Sequence, residues 1–135
     1  YSDLTGQSAA GSCKDCAAGQ YTNTSGQLKC VLCAAGREAG SGRSTECSAC
    51  NPGHYQDGVG QAACVECAAG TYSEAGPAQT SASVCKPCSP GQYENRVGST
   101  ECKFCVAGKY SEAGESQTSE NACKFCFLGV EPFKC

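Results

Sequence analysis

Large apolar side chains are scarce in this chain, and their scarcity limits the folds that it can adopt. It has no Ile, and Leu, Val and Phe together number only 15 of its 135 residues. Ordering each residue costs about 1–2 kcal/mol of backbone entropy, and so few large side chains cannot offset that cost through burial. The sequence therefore excludes an ordinary globular core.

Other absences exclude whole classes of function. His54 is the only histidine, so a Ser/His/Asp triad or a Cys/His nucleophile has no second candidate base, and beside Tyr55 it is expected to be a solvated loop side chain. There is no Asp-x-Asp-x-Asp-Gly loop for calcium. A net charge of -3 provides no basic face for nucleic acid. We therefore expect no enzymatic activity, no cofactor, no metal and no nucleic-acid partner.

Membrane-spanning and targeting segments are also missing from the sequence. No apolar run approaches the roughly 20 residues of a membrane-spanning helix, and no charged and then apolar leader opens the chain. Since the first residue is Tyr1 rather than Met, we expect a processed or excised piece whose targeting and anchoring segments lie elsewhere.

Cysteine, in contrast, is abundant. The 15 cysteines include seven Cys-x-x-Cys pairs, and successive pairs lie 17, 17, 17, 21, 17 and 21 residues apart, which is typical of a tandem repeat. Closing a loop of about 15 residues by a disulfide removes roughly 3 kcal/mol of unfolded-state entropy. Disulfides at this density persist only in oxidising surroundings, so we expect an extracellular or cell-surface protein. The pairs are Cys13/Cys16, Cys30/Cys33, Cys47/Cys50, Cys64/Cys67, Cys85/Cys88, Cys102/Cys105 and Cys123/Cys126.

Each unit carries further shared residues. A glycine follows the second cysteine of every pair by three residues, and a tyrosine follows two residues later, except that Glu38 and Glu131 replace it in the second and seventh units. A polar turn and a short run into the next cysteine complete a pattern that is typical of a small β-hairpin. We predict a small disulfide-rich fold of hairpins and loops, an elongated tandem-repeat rod with little or no helix. In it we expect Phe104, Phe125 and Val65 to pack against tyrosines of neighbouring units.

The repeats also show a longer period. Residues 47–84 and 85–122 align as two super-repeats of one short and one long unit, and the long units carry four extra residues in their loops. We therefore divide the chain into an N-terminal segment or linker (1–12), repeats one and two (13–46), the two super-repeats and a terminal partial repeat (123–135). The alternate long loops either serve a common contact on one side of the rod or reflect simple duplication.

Two disulfide pairings fit the spacing. In the hairpin-closing pairing, the second cysteine of each pair bonds to the first cysteine of the next. In the interleaved pairing, neighbouring pairs cross, so that Cys13 bonds to Cys30 and Cys16 bonds to Cys33. The first is favoured because it uses Cys135 and closes each Gly-x-Tyr loop as its own unit, and it leaves Cys13 unpaired or bonded outside this chain. Its bonds are Cys16–Cys30, Cys33–Cys47, Cys50–Cys64, Cys67–Cys85, Cys88–Cys102, Cys105–Cys123 and Cys126–Cys135.

Zinc is the main chemical alternative, because Cys-x-x-Cys pairs repeated after 15–20 residues also bind zinc. Here most gaps are 13 residues, the row of pairs is continuous rather than grouped in fours, and the total number of cysteines is odd. These features disfavour zinc. A thioredoxin-like redox site would need a βαβ context that the sequence lacks.

One candidate modification site is present. Asn23-Thr24-Ser25 is an N-glycosylation sequon in a predicted hairpin turn, where a glycan would project into solvent. We predict that Asn23 is glycosylated.

Together these features resemble the ephrin-receptor-like cysteine-rich repeat over about residues 13–135. Cys67-Ala-Ala-Gly-Thr-Tyr72 and Cys88-Ser-Pro-Gly-Gln-Tyr93 carry the likeness. The pattern is also similar to the first half of a tumour-necrosis-factor-receptor module, where one bond closes a Gly-x-Tyr loop, and that similarity supports the hairpin-closing pairing. The interlocked second half of that module is missing, so cytokine-type binding is not implied. The resemblance implies an extended extracellular rod.

Near-identical units without distinctive pocket residues predict a structural function. We expect a stiff, glycosylated segment of an extracellular filament, appendage or surface coat, whose partners are itself, other extracellular structural proteins or glycans. The alternative is a receptor or adhesion ectodomain that binds a protein or glycan ligand through its long loops. A third class, a metal-storage or redox protein, would carry reactive thiols.

Overall fold

The computed structural model describes residues 14–126, and within that range the chain forms six β-hairpins in succession. Each sheet has two antiparallel strands of two residues. Two short 3₁₀ helices, Ala82–Val84 and Glu120–Ala122, precede the fourth and sixth return strands. The predicted fold class, small, disulfide-rich and hairpin-based with little helix, is confirmed. The strand pairs are β1 (Gln20–Tyr21) with β2 (Val31–Leu32), β3 (Arg37–Glu38) with β4 (Ser48–Ala49), β5 (His54–Tyr55) with β6 (Val65–Glu66), β7 (Thr71–Tyr72) with β8 (Lys86–Pro87), β9 (Gln92–Tyr93) with β10 (Lys103–Phe104), and β11 (Lys109–Tyr110) with β12 (Lys124–Phe125).

A disulfide closes each hairpin. It joins the second cysteine of one Cys-x-x-Cys pair to the first cysteine of the next pair, which is the hairpin-closing order, with Cα atoms 5.4–5.8 Å apart. Cys126 is also disulfide-bonded, and its predicted partner Cys135 lies outside the described residues, as does Cys13. The bonds that define units one to six are Cys16–Cys30, Cys33–Cys47, Cys50–Cys64, Cys67–Cys85, Cys88–Cys102 and Cys105–Cys123.

The glycine of each unit lies in a turn with type II geometry at the start of the hairpin. In unit one the Gln20 N–H donates to the Ala17 carbonyl at 3.1 Å, and Gly19 between them has a φ of 81°. A type II turn needs a positive φ at its third residue, which glycine adopts without a Cβ clash. Pro52 and Pro90 occupy the second position of this turn in units three and five, where proline is favoured. The recurrent glycine therefore reflects one recurrent backbone shape.

Backbone hydrogen bonds stack each unit on the next. Between units two and three the Gly36 N–H donates to the Gln56 carbonyl at 2.7 Å, and the Gly60 N–H donates to the Cys33 carbonyl at 2.7 Å. Every backbone hydrogen bond between the described units joins neighbours in sequence, so the stack is one-dimensional. The equivalent bonds between units four and five run from Gly70 to Glu94 and from Gly98 to Cys67, both at 2.8 Å.

Each turn glycine of the first four units also approaches the unit two places along. A Cβ at Gly53 of unit three would collide with the Gly98 carbonyl of unit five, and a Cβ at Gly19 would collide with the Gly60 carbonyl of unit three. The loop residue that supplies this carbonyl has a positive φ, even in unit four, where it is Ala78 with a φ of 62°. Glycine is therefore required both for the turn and for the contact between units.

The long units divide their loops into two parts. The first part stacks like a short loop, since the Gln79 carbonyl accepts the Gln56 N–H at 2.9 Å. The second part forms the 3₁₀ helix Ala82–Val84, which Ser81 caps by accepting the Ser83 N–H at 3.2 Å. Ala82 and Ser83 are exposed, so this second part faces solvent.

The interior contains cysteine rather than aromatic side chains. The prediction that Phe104, Phe125 and Val65 pack against neighbouring tyrosines is wrong, because these side chains are 74%, 65% and 42% exposed. Neighbouring units meet through backbone groups, and their strands between paired cysteines face outwards. The largest fully buried side chains in the described range are Cys33, Cys50, Cys67, Cys88 and Ser73.

The contact between units two places apart can be tested with Gly53→Ala and its matched control Gly91→Ala. The two glycines have φ values of 82° and 84°, so each variant incurs the cost of a side chain at positive φ, about 1–2 kcal/mol. No described atom lies within 4 Å of a Cβ at Gly91, whereas one at Gly53 collides with Gly98. Gly53→Ala should therefore lose a further 1–3 kcal/mol or so. Urea unfolding followed by circular dichroism, with disulfides intact, measures both losses, and equal losses would contradict the contact.

Candidate functional site

One position recurs in every unit, is buried in units two to five, and in units two, three and five connects the unit to its neighbours on both sides. It is the residue directly after the tyrosine of Gly-x-Tyr, or after Glu38 in unit two, and we call these the coupling residues. In units two to five they are at most 5% exposed. The coupling residues of units one to six are Thr22, Ala39, Gln56, Ser73, Glu94 and Ser111.

The backbone of the coupling residue makes the connection. In unit three the Gln56 carbonyl accepts the Gly36 N–H of unit two at 2.7 Å, and the Gln56 N–H donates to the Gln79 carbonyl of unit four at 2.9 Å. Glu94 forms the equivalent two bonds at 2.8 and 3.0 Å. Backbone groups that are buried in this way are costly to leave unpaired. Each coupling residue of this kind therefore holds three consecutive units in register.

The side chains at this position differ because the backbone makes the connection. Gln56 Oε1 accepts the Gly58 N–H at 3.0 Å, and Glu94 Oε1 accepts the Arg96 N–H at 2.9 Å, so each side chain holds the loop that follows it. Ser73 is fully buried, and within the described residues its Oγ has no hydrogen-bond partner. No common residue type marks this position in the sequence. Its only sequence signal is its fixed place after the tyrosine.

Glu94 is a buried acid beside a lysine. Its Oε1 lies 3.2 Å from Nζ of Lys103 and accepts the Arg96 N–H at 2.9 Å. Burial raises the pKa of Glu94, but the hydrogen bonds from Arg96 and Lys103 and the positive charge of Lys103 outweigh burial, so that the pKa lies below its ordinary value. The carboxylate therefore remains charged at neutral pH and holds the loop and the return strand of unit five together.

His54 takes part in a contact between units, so the expectation of a solvated side chain is wrong. Its side chain is 27% exposed, and Nε2 lies 3.6 Å from Glu66 Oε1. Nδ1 lies 3.2 Å from the Pro52 carbonyl. A Cβ at Gly98 of unit five would meet the ring. The imidazole therefore fills space between units three and five.

Asn23 lies exposed in the loop of unit one. The Thr24 hydroxyl donates to its Oδ1 at 3.1 Å. Beside it is an open groove of about 630 Å³ between units one and two, whose walls include Tyr21, Val31 and Leu32. Glycosylation of Asn23 stays a prediction.

The two long units share a surface ion pair. Nζ of Lys86 lies 3.5 Å from Glu74 Oε1, and Nζ of Lys124 lies 3.3 Å from Glu112 Oε2. Each pair joins the start of a long loop to the return strand of the same unit. With the 3₁₀ helices, these pairs give the long units a repeated surface that the alternative receptor hypothesis would use.

Metal clusters and membrane-spanning helices are both absent from residues 14–126. Within that range no group of three or more His, Cys, Asp or Glu side chains is arranged to hold a metal ion. The same residues contain no helix long and apolar enough to cross a membrane. Twelve of the cysteines hold their sulfur in the six disulfides that define the units.

The repeat pattern matches a known family. A family model described as tyrosine-protein kinase ephrin type A/B receptor-like matches residues 5–46 and 36–83, which together cover more than half of the chain. A search of curated proteins found no match. The match includes the first three hairpins and part of the fourth, so it covers several of the stacked units.

The buried hydroxyl of Ser73 has no hydrogen-bond partner among the described residues, so its removal should not lower the free energy of unfolding. Ser73→Ala should leave the free energy of unfolding unchanged or raise it by up to about 1 kcal/mol, because it removes a buried hydroxyl without a partner. Ser81→Ala is the matched control and should lower that free energy by about 0.5–1 kcal/mol, since it removes a helix cap. Urea unfolding measures both. A loss above about 1 kcal/mol for Ser73→Ala would contradict the backbone role.

Glu94 predicts an acid dependence of stability. Because its pKa is lower in the folded than in the unfolded chain, its contribution is present above the ordinary pKa of about 4.3 and is lost as the pH falls below that value. Glu94→Gln should therefore lose less stability than the unmodified chain as the pH falls from 5 to 3. The midpoint of urea unfolding, measured at several pH values in that range, tests this. Glu101→Gln, at an exposed position of the same unit, is the control and should keep the slope of the unmodified chain. Identical slopes for all three would contradict the prediction.

Proposed function

The chain belongs to the ephrin-receptor-like family of cysteine-rich repeats, an extracellular disulfide-stapled type of module, and on that premise we propose that it is a tension-bearing structural segment of an extracellular filament, appendage or surface coat. Repeats of this family are non-catalytic modules, and disulfides of this density require an oxidising compartment. The observation that carries the proposal is the path of covalent bonds through the stack.

The disulfides and the linkers between them form a continuous covalent path. In each short unit the bonded cysteines have Cα atoms 5.7–5.8 Å apart, and the next bonded cysteine follows three residues later. Fully stretched, such a unit spans about 16 Å, because three extended residues add about 10 Å, whereas 17 residues without a disulfide reach about 60 Å. The hairpin loops therefore lie outside the path that bears the load.

The stacking of the units adds resistance to bending. The coupling residues of units two to five are buried, and the backbone groups of Gln56 and Glu94 bond to the unit before and the unit after. Bending the stack would separate these buried donors and acceptors, which costs free energy unless water replaces each partner. A stiff array with similar interfaces suits a spacer that assembles with copies of itself or with other extracellular structural proteins. We also propose that residues 47–84 and 85–122 are two super-repeats of this spacer.

A receptor or adhesion ectodomain is the second candidate function. The exposed 3₁₀ helices and the Lys86–Glu74 and Lys124–Glu112 pairs recur on both long units, which favours a shared contact with a protein or glycan. Deleting loop residues such as Gln79 would disturb the stack, because the Gln79 carbonyl accepts the Gln56 N–H. The test therefore replaces only the two exposed 3₁₀ helices, Ala82–Val84 and Glu120–Ala122, with Gly-Ser segments. If this variant keeps its disulfides but no longer binds the surface of the cells that make it, the receptor function is favoured over the structural one.

Stretching the full chain between its ends in optical tweezers tests the load path. Without reductant, no unit in the described range should extend beyond its fully stretched span of about 16 Å. A thiol reductant added under load should release steps of about 40–45 Å from the four loops with a sequence separation of 14, and about 55–60 Å from the two with a separation of 18.

The control for this experiment is a chain with Cys50→Ser and Cys64→Ser. It lacks one disulfide, so it should show one step of the short kind before any reductant is added. Steps of that length in the unmodified, unreduced chain would show that the loops bear load and would overturn the proposal.

A further inference from the structure

The groove beside Asn23 exposes apolar surface that the described part of the chain does not cover. Val31 is 53% exposed and Leu32 is 52% exposed, and both line the groove. Tyr21 and Val31 are register partners of β1 and β2. Cross-strand partners present their side chains on the same face of the hairpin. The groove therefore has one wall made of a phenol ring and adjacent aliphatic groups.

The sequon lies at the edge of this wall. Asn23 follows Tyr21 by two residues and lines the same groove. The Thr22 hydroxyl donates to the Thr24 carbonyl at 3.2 Å, and the Thr24 hydroxyl donates to Asn23 Oδ1 at 3.1 Å. These bonds order the segment and leave Nδ2 as the atom for attachment of a glycan. A sugar joined there enters the groove that the Tyr21 ring also lines.

The chemistry of the groove suits a pyranose ring. One face of N-acetylglucosamine is made of C–H groups, which pack on an aromatic ring through dispersion and weak C–H contacts. Its edge carries hydroxyl and acetamide groups that need polar partners. Arg37 and Glu46 of unit two also line the groove, where they provide a donor and an acceptor. The groove thus offers an apolar wall to the sugar face and charged groups to its edge.

We propose that the first sugar of an N-linked glycan on Asn23 packs on Tyr21 and Val31 and covers the groove between units one and two. The inference rests on the proposed extracellular function, because N-glycosylation requires passage through the secretory pathway. It gives the glycan a structural task, which is to shield the apolar surface of the stack. Unit two lacks the equivalent wall, because Glu38 and Ser48 are its corresponding register partners.

The test uses the full chain, secreted from eukaryotic cells, with its glycan trimmed enzymatically to a single N-acetylglucosamine. If the sugar packs on Tyr21, its ring C–H protons should shift upfield in NMR spectra through the ring current. The amides of Val31 and Leu32 should also exchange with solvent more slowly than in Asn23→Gln, by roughly three- to tenfold. Both readouts report on the contact and not on secretion.

Two variants provide the controls. Tyr21→Leu keeps an apolar contact and should abolish the upfield shift. The double variant Tyr21→Glu with Val31→Ser installs the pair that unit two already accommodates, and it should abolish both the shift and the slower exchange while disulfide mapping verifies the fold. An unshifted sugar, or a shift that survives in Tyr21→Leu, would overturn the inference. A secreted, fully disulfide-bonded chain with unmodified Asn23 would overturn it too, but would leave the proposed function standing.

Discussion

The second cysteine of each pair is the residue on which the rest of the structure depends. The sulfur of Cys33 closes its own hairpin through Cys47, its N–H donates to the Gly19 carbonyl of the preceding unit at 2.9 Å, and its carbonyl accepts the Gly60 N–H of the following unit at 2.7 Å. It is fully buried. One residue therefore provides the covalent constraint within a unit and the hydrogen bonds to both neighbours. Loss of the disulfide would release the loop and, with it, the groups that the next unit needs for stacking.

Buried backbone replaces the apolar core in this fold. A hydrogen bond contributes only about 0.5–1.5 kcal/mol net, but leaving a buried donor or acceptor unpaired costs about 1–3 kcal/mol. Stacked units that share several such bonds are therefore held in a single register, although few large side chains lie between them. This explains why Phe104 remains 74% exposed without loss of the fold. Outward-facing side chains are then constrained little by stability and are available for contacts.

The spacing of cysteine, glycine and tyrosine predicted the hairpins, because each of these residues acts on the backbone of its own unit. The sequence did not predict the contacts between units. The sequence did not reveal the coupling residues, because Gln56, Ser73 and Glu94 share no side-chain chemistry. They share only their position directly after the tyrosine. The second task of the turn glycines depends on a carbonyl two units away. The expectation for Phe104 failed because it assumed an interior made of side chains, as in larger domains.

The separation between the covalent path and the loops explains how the stack tolerates loops of different lengths. A loop that bears no load can gain residues at little cost, since loop-closure entropy rises slowly with length. Units four and six use this latitude: their closing bonds span 18 rather than 14 residues, and they retain the positive φ of the stacking residue at Ala78 and Ser116 without glycine. The proposed structural function and the alternative receptor function would therefore not compete for the same residues, because tension would pass through the disulfides while the loops would hold the proposed ligand surface and the predicted glycan.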